Sequence, residues 1–98
     1  MPTTATDGPS TLLGEPWQLD GSVALRPEPF GALAYHFGTR RLSFLKDRRL
    51  LAVVEGLADA PTARAACAGA GIGPSELGAY ERALARLADT DMLRERVP

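Results

Sequence analysis

The stretch from Leu33 to Leu45 limits what this chain can fold into more than any other. Leu33, Tyr35 and Phe37 alternate with Ala34 and His36; Gly38-Thr39 follows, and then Arg40, Arg41, Leu42, Ser43, Phe44 and Leu45. Alternation with a period of two is the mark of a strand, and glycine in the first turn position suits a two-residue type II′ turn. Such a turn pairs Phe37 with Arg40, His36 with Arg41, Tyr35 with Leu42, Ala34 with Ser43 and Leu33 with Phe44. Directly opposed residues share a face. One face then carries Leu33, Tyr35, Phe37, Leu42 and Phe44, and the other carries Ala34, His36, Arg41 and Ser43. The two strands agree on which side is apolar, and a slip of one residue would destroy that agreement.

Around this hairpin the rest of the chain falls into place. Val23 and Leu25 alternate with Ala24 and Arg26 in a further short strand, which Pro27 and Pro29 stop because proline has no N–H for a ladder. Asp47 can cap a helix running to Leu57 or Ala58, with Leu50, Val53, Val54 and Leu57 as its apolar stripe. Asp59-Ala60-Pro61 breaks it, and Pro61 can open an Ala-rich helix reaching Ala68. Gly69, Gly71 and Gly73 end that helix, and a third runs from Pro74 or Ser75 to Asp89 with the stripe Leu77, Tyr80, Leu84 and Leu87. No strand is followed by a helix that returns to a parallel neighbour. The order predicts an α+β, winged-helix-like domain: a three-stranded antiparallel sheet followed by three helices. Its third strand is an edge, because nothing later in the sequence reads as a strand. Residues 1–16 are expected to be a flexible tail, 17–92 the packed domain with Trp17 at its start, and 93–98 a C-terminal tail.

The chemical inventory is short. A chain of 98 residues is one small domain, with a stability on the order of 10 kcal/mol. It holds one His, His36, and one Cys, Cys67, so no internal disulfide and no Cys/His zinc cluster can form. A reducing cytoplasm fits that cysteine usage. No apolar run can span a bilayer, and Met1–Pro16 lacks the basic start and apolar core of a signal peptide. His36 has no nucleophile or orienting partner that the sequence can supply, Cys67 reads as a small core filler, and Gly69-Ala70-Gly71-Ile72-Gly73 follows a helix where a phosphate loop would follow a strand. A stand-alone enzyme is disfavoured, no cofactor is expected in this chain, and a binding module is the leading class. The net charge is −1, but it is unevenly spread: residues 1–25 sum to −3, residues 26–49 to +4 and residues 50–98 to −2. The basic zone covers the hairpin. Arg40 and Arg41 stand at the start of the edge strand, where they either discourage aggregation or meet the carboxylates of an acidic peptide.

The stretches Val23-Ala24-Leu25-Arg26-Pro27-Glu28-Pro29-Phe30-Gly31-Ala32-Leu33 and Tyr35-His36-Phe37-Gly38-Thr39-Arg40-Arg41-Leu42-Ser43-Phe44-Leu45 closely resemble the mycofactocin biosynthesis chaperone family. The likeness continues more loosely through Val53-Val54, Ala63-Arg64-Ala65-Ala66-Cys67 and the third helix, and covers residues 17–90. The family belongs to the recognition elements of ribosomally made, modified peptides and is similar in fold to the pyrroloquinoline quinone peptide chaperone. The resemblance implies a non-catalytic protein that binds a ribosomal precursor peptide and presents it to a radical S-adenosylmethionine maturase; a monomer is expected. That enzyme would carry the iron–sulfur clusters and act on the C-terminal Val-Tyr of the peptide. In related recognition elements the leader adds a strand to the third strand and lies against the third helix, which is strand addition. Carried onto this sequence, the resemblance implies a peptide site made of Arg40, Arg41, Leu42, Ser43, Phe44 and Leu45 with Leu77, Tyr80, Glu81 and Leu84.

A DNA-binding protein is the alternative that a winged-helix-like fold allows. Residues 74–91 hold Arg82 and Arg86 against Glu76, Glu81, Asp89 and Asp91, a net charge of −2 on the helix that would enter a groove. Such a helix repels phosphate. Neither nucleic acid nor membrane is expected as a partner.

Overall fold

The computed structural model describes residues 12–96. Residues 1–11 of the expected N-terminal tail, and residues 97–98, lie outside that span. The elements in chain order are β1 (Trp17–Leu19), β2 (Val23–Glu28), β3 (Gly31–His36), β4 (Leu42–Leu45), α1 (Arg48–Gly56) with a 3-10 turn at Leu57–Asp59, α2 (Ala63–Gly69), α3 (Leu77–Asp89) and β5 (Leu93–Glu95). The main sheet is antiparallel in the order β2-β3-β4. The α+β architecture read from the sequence is therefore the observed one, with β4 on the edge of its sheet.

The hairpin has the register that the alternation dictates: Leu33 opposes Phe44, Ala34 opposes Ser43 and Tyr35 opposes Leu42. Its turn is different. The backbone N–H of His36 donates to Arg41 O at 3.0 Å, and that of Arg40 donates to His36 O at 2.7 Å, so the loop holds four residues, Phe37 to Arg40. The residue with positive φ is Arg40, at 63°, and not Gly38, which excludes the expected type II′ turn. The cause is His36. Its Nδ1 accepts from the backbone N–H of Gly38 at 3.0 Å and of Thr39 at 3.1 Å. A Cβ on Gly38 would stand 2.9 Å from His36 Cε1. Gly38 is needed for closeness to the imidazole, not for its φ.

The apolar side of the hairpin is the outer one. Ala32, Ala34, His36 and Leu45 are buried against the helices, whereas Phe37, Leu42 and Phe44 are exposed. Small residues on β3 let α1 lie close on the sheet, where Leu50, Val53, Val54 and Leu57 fill the core. His36, assigned by alternation to a polar face, is buried, with its Nε2 3.6 Å from Asp20 Oδ1.

The capping chemistry explains the helix bounds. Asp47 accepts from Leu50 N at 2.7 Å and starts α1. Thr62 caps α2 by accepting from Ala65 N at 3.1 Å, so the helix opens at Ala63 and not at Pro61. Either cap is worth about 1 kcal/mol. Past α2, Gly71 takes φ 83° and Ile72 N returns to Cys67 O at 3.0 Å, so the glycine run is a helix stop. Cys67 is fully buried in the core.

The packed body extends past the 17–92 expected from the sequence. Leu12 and Leu13 are buried, and Trp17 Nε1 donates to Leu12 O at 3.0 Å. At the other end, β5 pairs antiparallel with β1, Trp17 opposing Glu95 and Leu19 opposing Leu93. Arg96 follows, donating to Ala58 O at 2.7 Å and to Ala60 O. The expectation that nothing after the third helix forms a strand is thus overturned. This second ribbon leaves the edge of β4 open.

Candidate peptide groove and its family

A groove of about 480 Å³ lies between β4 and α3. Leu42, Ser43 and Phe44 form one wall, and Ala79, Tyr80, Ala83, Arg86 and Thr90 of α3 form the other. Lys46, Asp47, Leu50 and Leu87 complete its lining. Because His36 and Arg41 are a hydrogen-bonded pair, alternation along the ladder makes Ala34–Ser43 and Ala32–Leu45 the next bonded pairs. The N–H and C=O groups of Leu42 and Phe44 therefore point away from β3, along the open edge. An extended chain laid there finds a row of backbone donors and acceptors next to a slot that Ala79 and Ala83 keep wide.

A polar cluster fixes α3 against the start of α1. Tyr80 Oη donates to Asp47 Oδ2 at 2.9 Å while the other oxygen of Asp47 caps α1. Arg49 bridges Glu76 through two hydrogen bonds, at 3.0 and 2.7 Å, and its guanidinium stands 5.6 Å from the Tyr80 ring centre. The Arg49 hydrogen bond holds the Glu76 carboxyl below its usual range, and Glu76 in turn pushes Arg49 up. Lys46, Asp47 and Arg86 are the charged residues of the groove lining.

Burial, and then the hydrogen bond to Asp47, push the Tyr80 phenol above its ordinary value of 10.0. Burial pushes the Cys67 thiol above 9.0. In both cases the fold favours the protonated form. The associated stability is complete below the unfolded value and is lost as pH rises through the raised folded one. The thermal midpoint is therefore expected to hold steady up to pH 8 and to fall as pH passes about 9 and then 10. Tyr80→Phe should remove the upper part of that fall. A midpoint unchanged to pH 11 would overturn the account.

The residues that the sequence placed at a peptide site separate in space. Leu42, Ser43, Phe44 and Tyr80 line the groove. Arg40 and Arg41 are exposed at the hairpin end, and the register puts Arg41 on the same face as Ser43. Leu45 and Leu84 are fully buried in the core, Leu77 packs against it, and none of the three lines the groove. Glu81 is also outside the lining. Ala79, Ala83, Arg86 and Thr90 were not singled out, because an alanine matters here for being small, which periodicity does not weigh. Among the described residues no cluster of three or more His, Cys, Asp or Glu could hold a metal ion, and no helix is long and apolar enough to cross a membrane.

The family model of the peptide chaperone MftB family matches residues 16–94, a span that takes in the sheet, the groove and all three helices. The chain belongs to the MftB peptide chaperone family. Three curated MftB peptide chaperones are similar to it over 77 residues, or 79% of this chain. That of Mycobacterium ulcerans (strain Agy99) is 60% identical and covered over 71% of its length. That of Mycobacterium tuberculosis (strain ATCC 25618 / H37Rv) is 58% identical and covered over 71%. That of Mycolicibacterium smegmatis (strain ATCC 700084 / mc(2)155) is 53% identical and covered over 76%. No solved structure matches the chain. MftB membership, at this identity, agrees with the resemblance carried by the RPEPFGAL and YHFGTRRLSFL stretches.

Proposed function

We propose that this protein binds the mycofactocin precursor peptide as an added strand on β4 and presents it, without catalysis of its own, to a radical S-adenosylmethionine maturase. The observation that carries the reading is the coincidence of an open strand edge with a groove, the two sharing Leu42 and Phe44. Strand addition draws affinity from backbone bonds and selectivity from side-chain pockets. Here the backbone of Leu42 and Phe44 supplies the bonds. The slot beside Ala79 and Ala83 takes an apolar side chain, and Lys46, Arg86 and Arg41 favour acidic neighbours. The iron–sulfur chemistry belongs to the enzyme, which acts on the C-terminal Val-Tyr of the peptide while the leader stays in the groove.

The test is a titration of the purified protein with the synthetic precursor, without added metal, by calorimetry and by amide NMR. Saturable heat is expected, with the Leu42 and Phe44 amides shifting more than those of Ser43 and Leu45. No heat together with unperturbed amides over residues 41–45 would sink the reading. Arg41→Glu is expected to weaken binding by at least ~1 kcal/mol through loss of a charge-assisted contact. Unchanged affinity in that variant would leave Arg41 to the protection of the strand edge.

A further inference from the structure

His36, the last residue of β3, is a buried titratable side chain outside the groove. Its Nδ1 accepts from two backbone N–H groups, those of Gly38 at 3.0 Å and Thr39 at 3.1 Å. A ring nitrogen that accepts carries no proton, so the neutral imidazole holds its proton on Nε2. Nε2 stands 3.6 Å from Asp20 Oδ1, in the loop between β1 and β2, and the other oxygen of Asp20 is 3.8 Å from Arg94 Nη1 of β5. From β2 the residue opposite His36 is the apolar Val23. Across the other ladder Arg41 shares the face of His36, with its side chain exposed.

The ring holds the loop that follows it. Gly38 and Thr39 belong to the loop Phe37 to Arg40, in which Arg40 has φ 63°. A residue other than glycine stays in that region where surrounding contacts hold it there. The ties then run on into β4. Thr39, held through its N–H by Nδ1, accepts at Oγ1 from the N–H of Arg41 at 3.3 Å. Arg41 O in turn accepts from His36 N at 3.0 Å, and the next residue is Leu42, the first of β4 and part of the groove wall. A proton added at Nδ1 takes the lone pair that both N–H groups share and sets donor against donor. Imidazole is the side chain whose charge ordinarily changes between about pH 5 and 8.

We infer that His36 is an acid-sensitive latch on the hairpin: protonation at Nδ1 releases the loop Phe37 to Arg40 and, through Thr39 and Arg41, loosens the Leu42 end of β4. An edge strand that frays there presents fewer fixed backbone groups to an added strand, so acid weakens the binding of the peptide. That consequence for the peptide rests on the function proposed above; the release of the loop does not.

The experiment follows the ring signals of His36 and the amide signals of Gly38, Thr39, Arg41 and Leu42 by NMR, in the intact chain without peptide, from pH ~7.5 to ~5. The Gly38 and Thr39 amides are expected to shift with the same midpoint as the ring. Their exchange with solvent, corrected for the pH dependence of exchange itself, should quicken at least tenfold while that of Val53 in α1 does not. His36→Asn puts an acceptor oxygen in the place of Nδ1 that does not titrate, so the step should vanish in that variant. A ring that titrates while the loop amides stay unmoved overturns the inference, and so does a ring that stays neutral until the protein unfolds. Both results are read on wild type and stand even where His36→Asn fails to fold. A step that persists in folded His36→Asn overturns it as well. Calorimetry with the synthetic precursor forms the second arm. Wild type is expected to bind several-fold more weakly at pH ~5 than at ~7.5, and His36→Asn equally at both, which sets aside titration of the peptide's own carboxylates. Equal wild-type affinity at the two pH values severs the loop from the groove and overturns the regulatory part. Absence of binding at the higher pH sinks the peptide reading instead and leaves the loop result standing.

Discussion

A Gly31→Ala variant is expected to lose at least ~4 kcal/mol of stability, among the largest effects a single substitution produces. Gly31 opens β3 with φ 155°, a conformation that side chains rarely adopt. A Cβ there would stand 2.1 Å from Leu45 O and 3.0 Å from both the N and the O of Asp47. These are backbone atoms at the end of β4 and the start of α1, so no side-chain rotation relieves the overlap. The sheet edge or the helix start must move, and Asp47 moves with them, releasing its cap on Leu50 and its bond to Tyr80. Against a total on the order of 10 kcal/mol, urea unfolding should show a midpoint lowered by more than a third. Gly56→Ala is the matching control. That glycine ends α1 in a helical conformation, with nothing within 4 Å of an added Cβ. The change there should be neutral or stabilising by up to ~1 kcal/mol. Equal midpoints for the two variants would refute the account of Gly31.

What the sequence reveals and what it hides differ here for identifiable reasons. Strand pairing was legible because alternation and a short loop together permit one register, and Leu33–Phe44 and Tyr35–Leu42 are found as they dictate. The turn was not, because a side chain does the work that glycine φ does elsewhere: His36 Nδ1 gathers the N–H groups of Gly38 and Thr39. Alternation says which residues share a face but not which face is covered. That is decided by fit, since Ala32 and Ala34 admit α1 where Leu33 and Tyr35 would hold it off. The ribbon of β1 and β5 was hidden because three residues are too few to show a period, although Met92 and Leu93, both buried, carried a signal of continued packing.

The same distinction governs the groove. The apolar stripe of α3 reads equally well as core or as binding surface, and the structure divides it: Leu84 goes wholly inside, while Tyr80 serves both sides. Its ring is buried, and its hydroxyl ties the helix to Asp47. The surface turned to the groove is instead the weakly marked row of Ala79, Ala83 and Arg86. A site whose purpose is to leave room is signalled by what its side chains lack. The strand edge beside it is signalled by topology, which hydropathy alone does not encode.

The largest effect on function is expected from Phe44→Pro. The N–H of Phe44 points outward from β4, where it makes no ladder bond to β3, so proline removes a donor that the free protein does not use. Edge strands accept proline on their open side for this reason. The fold should survive, whereas Ser43→Pro, which deletes an inward N–H of the Ala34–Ser43 pair, should destabilise it. For an added strand the missing donor is a backbone bond lost, worth about 1 kcal/mol, and the pyrrolidine ring also occupies the line of approach. Affinity for the precursor peptide should therefore fall at least tenfold, or ~1.4 kcal/mol. Phe44→Ala separates the two properties of the position, because it keeps the N–H and removes only an exposed ring; most of the peptide affinity should remain. The ratio between these variants reads the binding mode directly. If Phe44→Pro, folded by its melt, binds the peptide as wild type does, the peptide does not add to β4, and the groove must hold it by side chains alone.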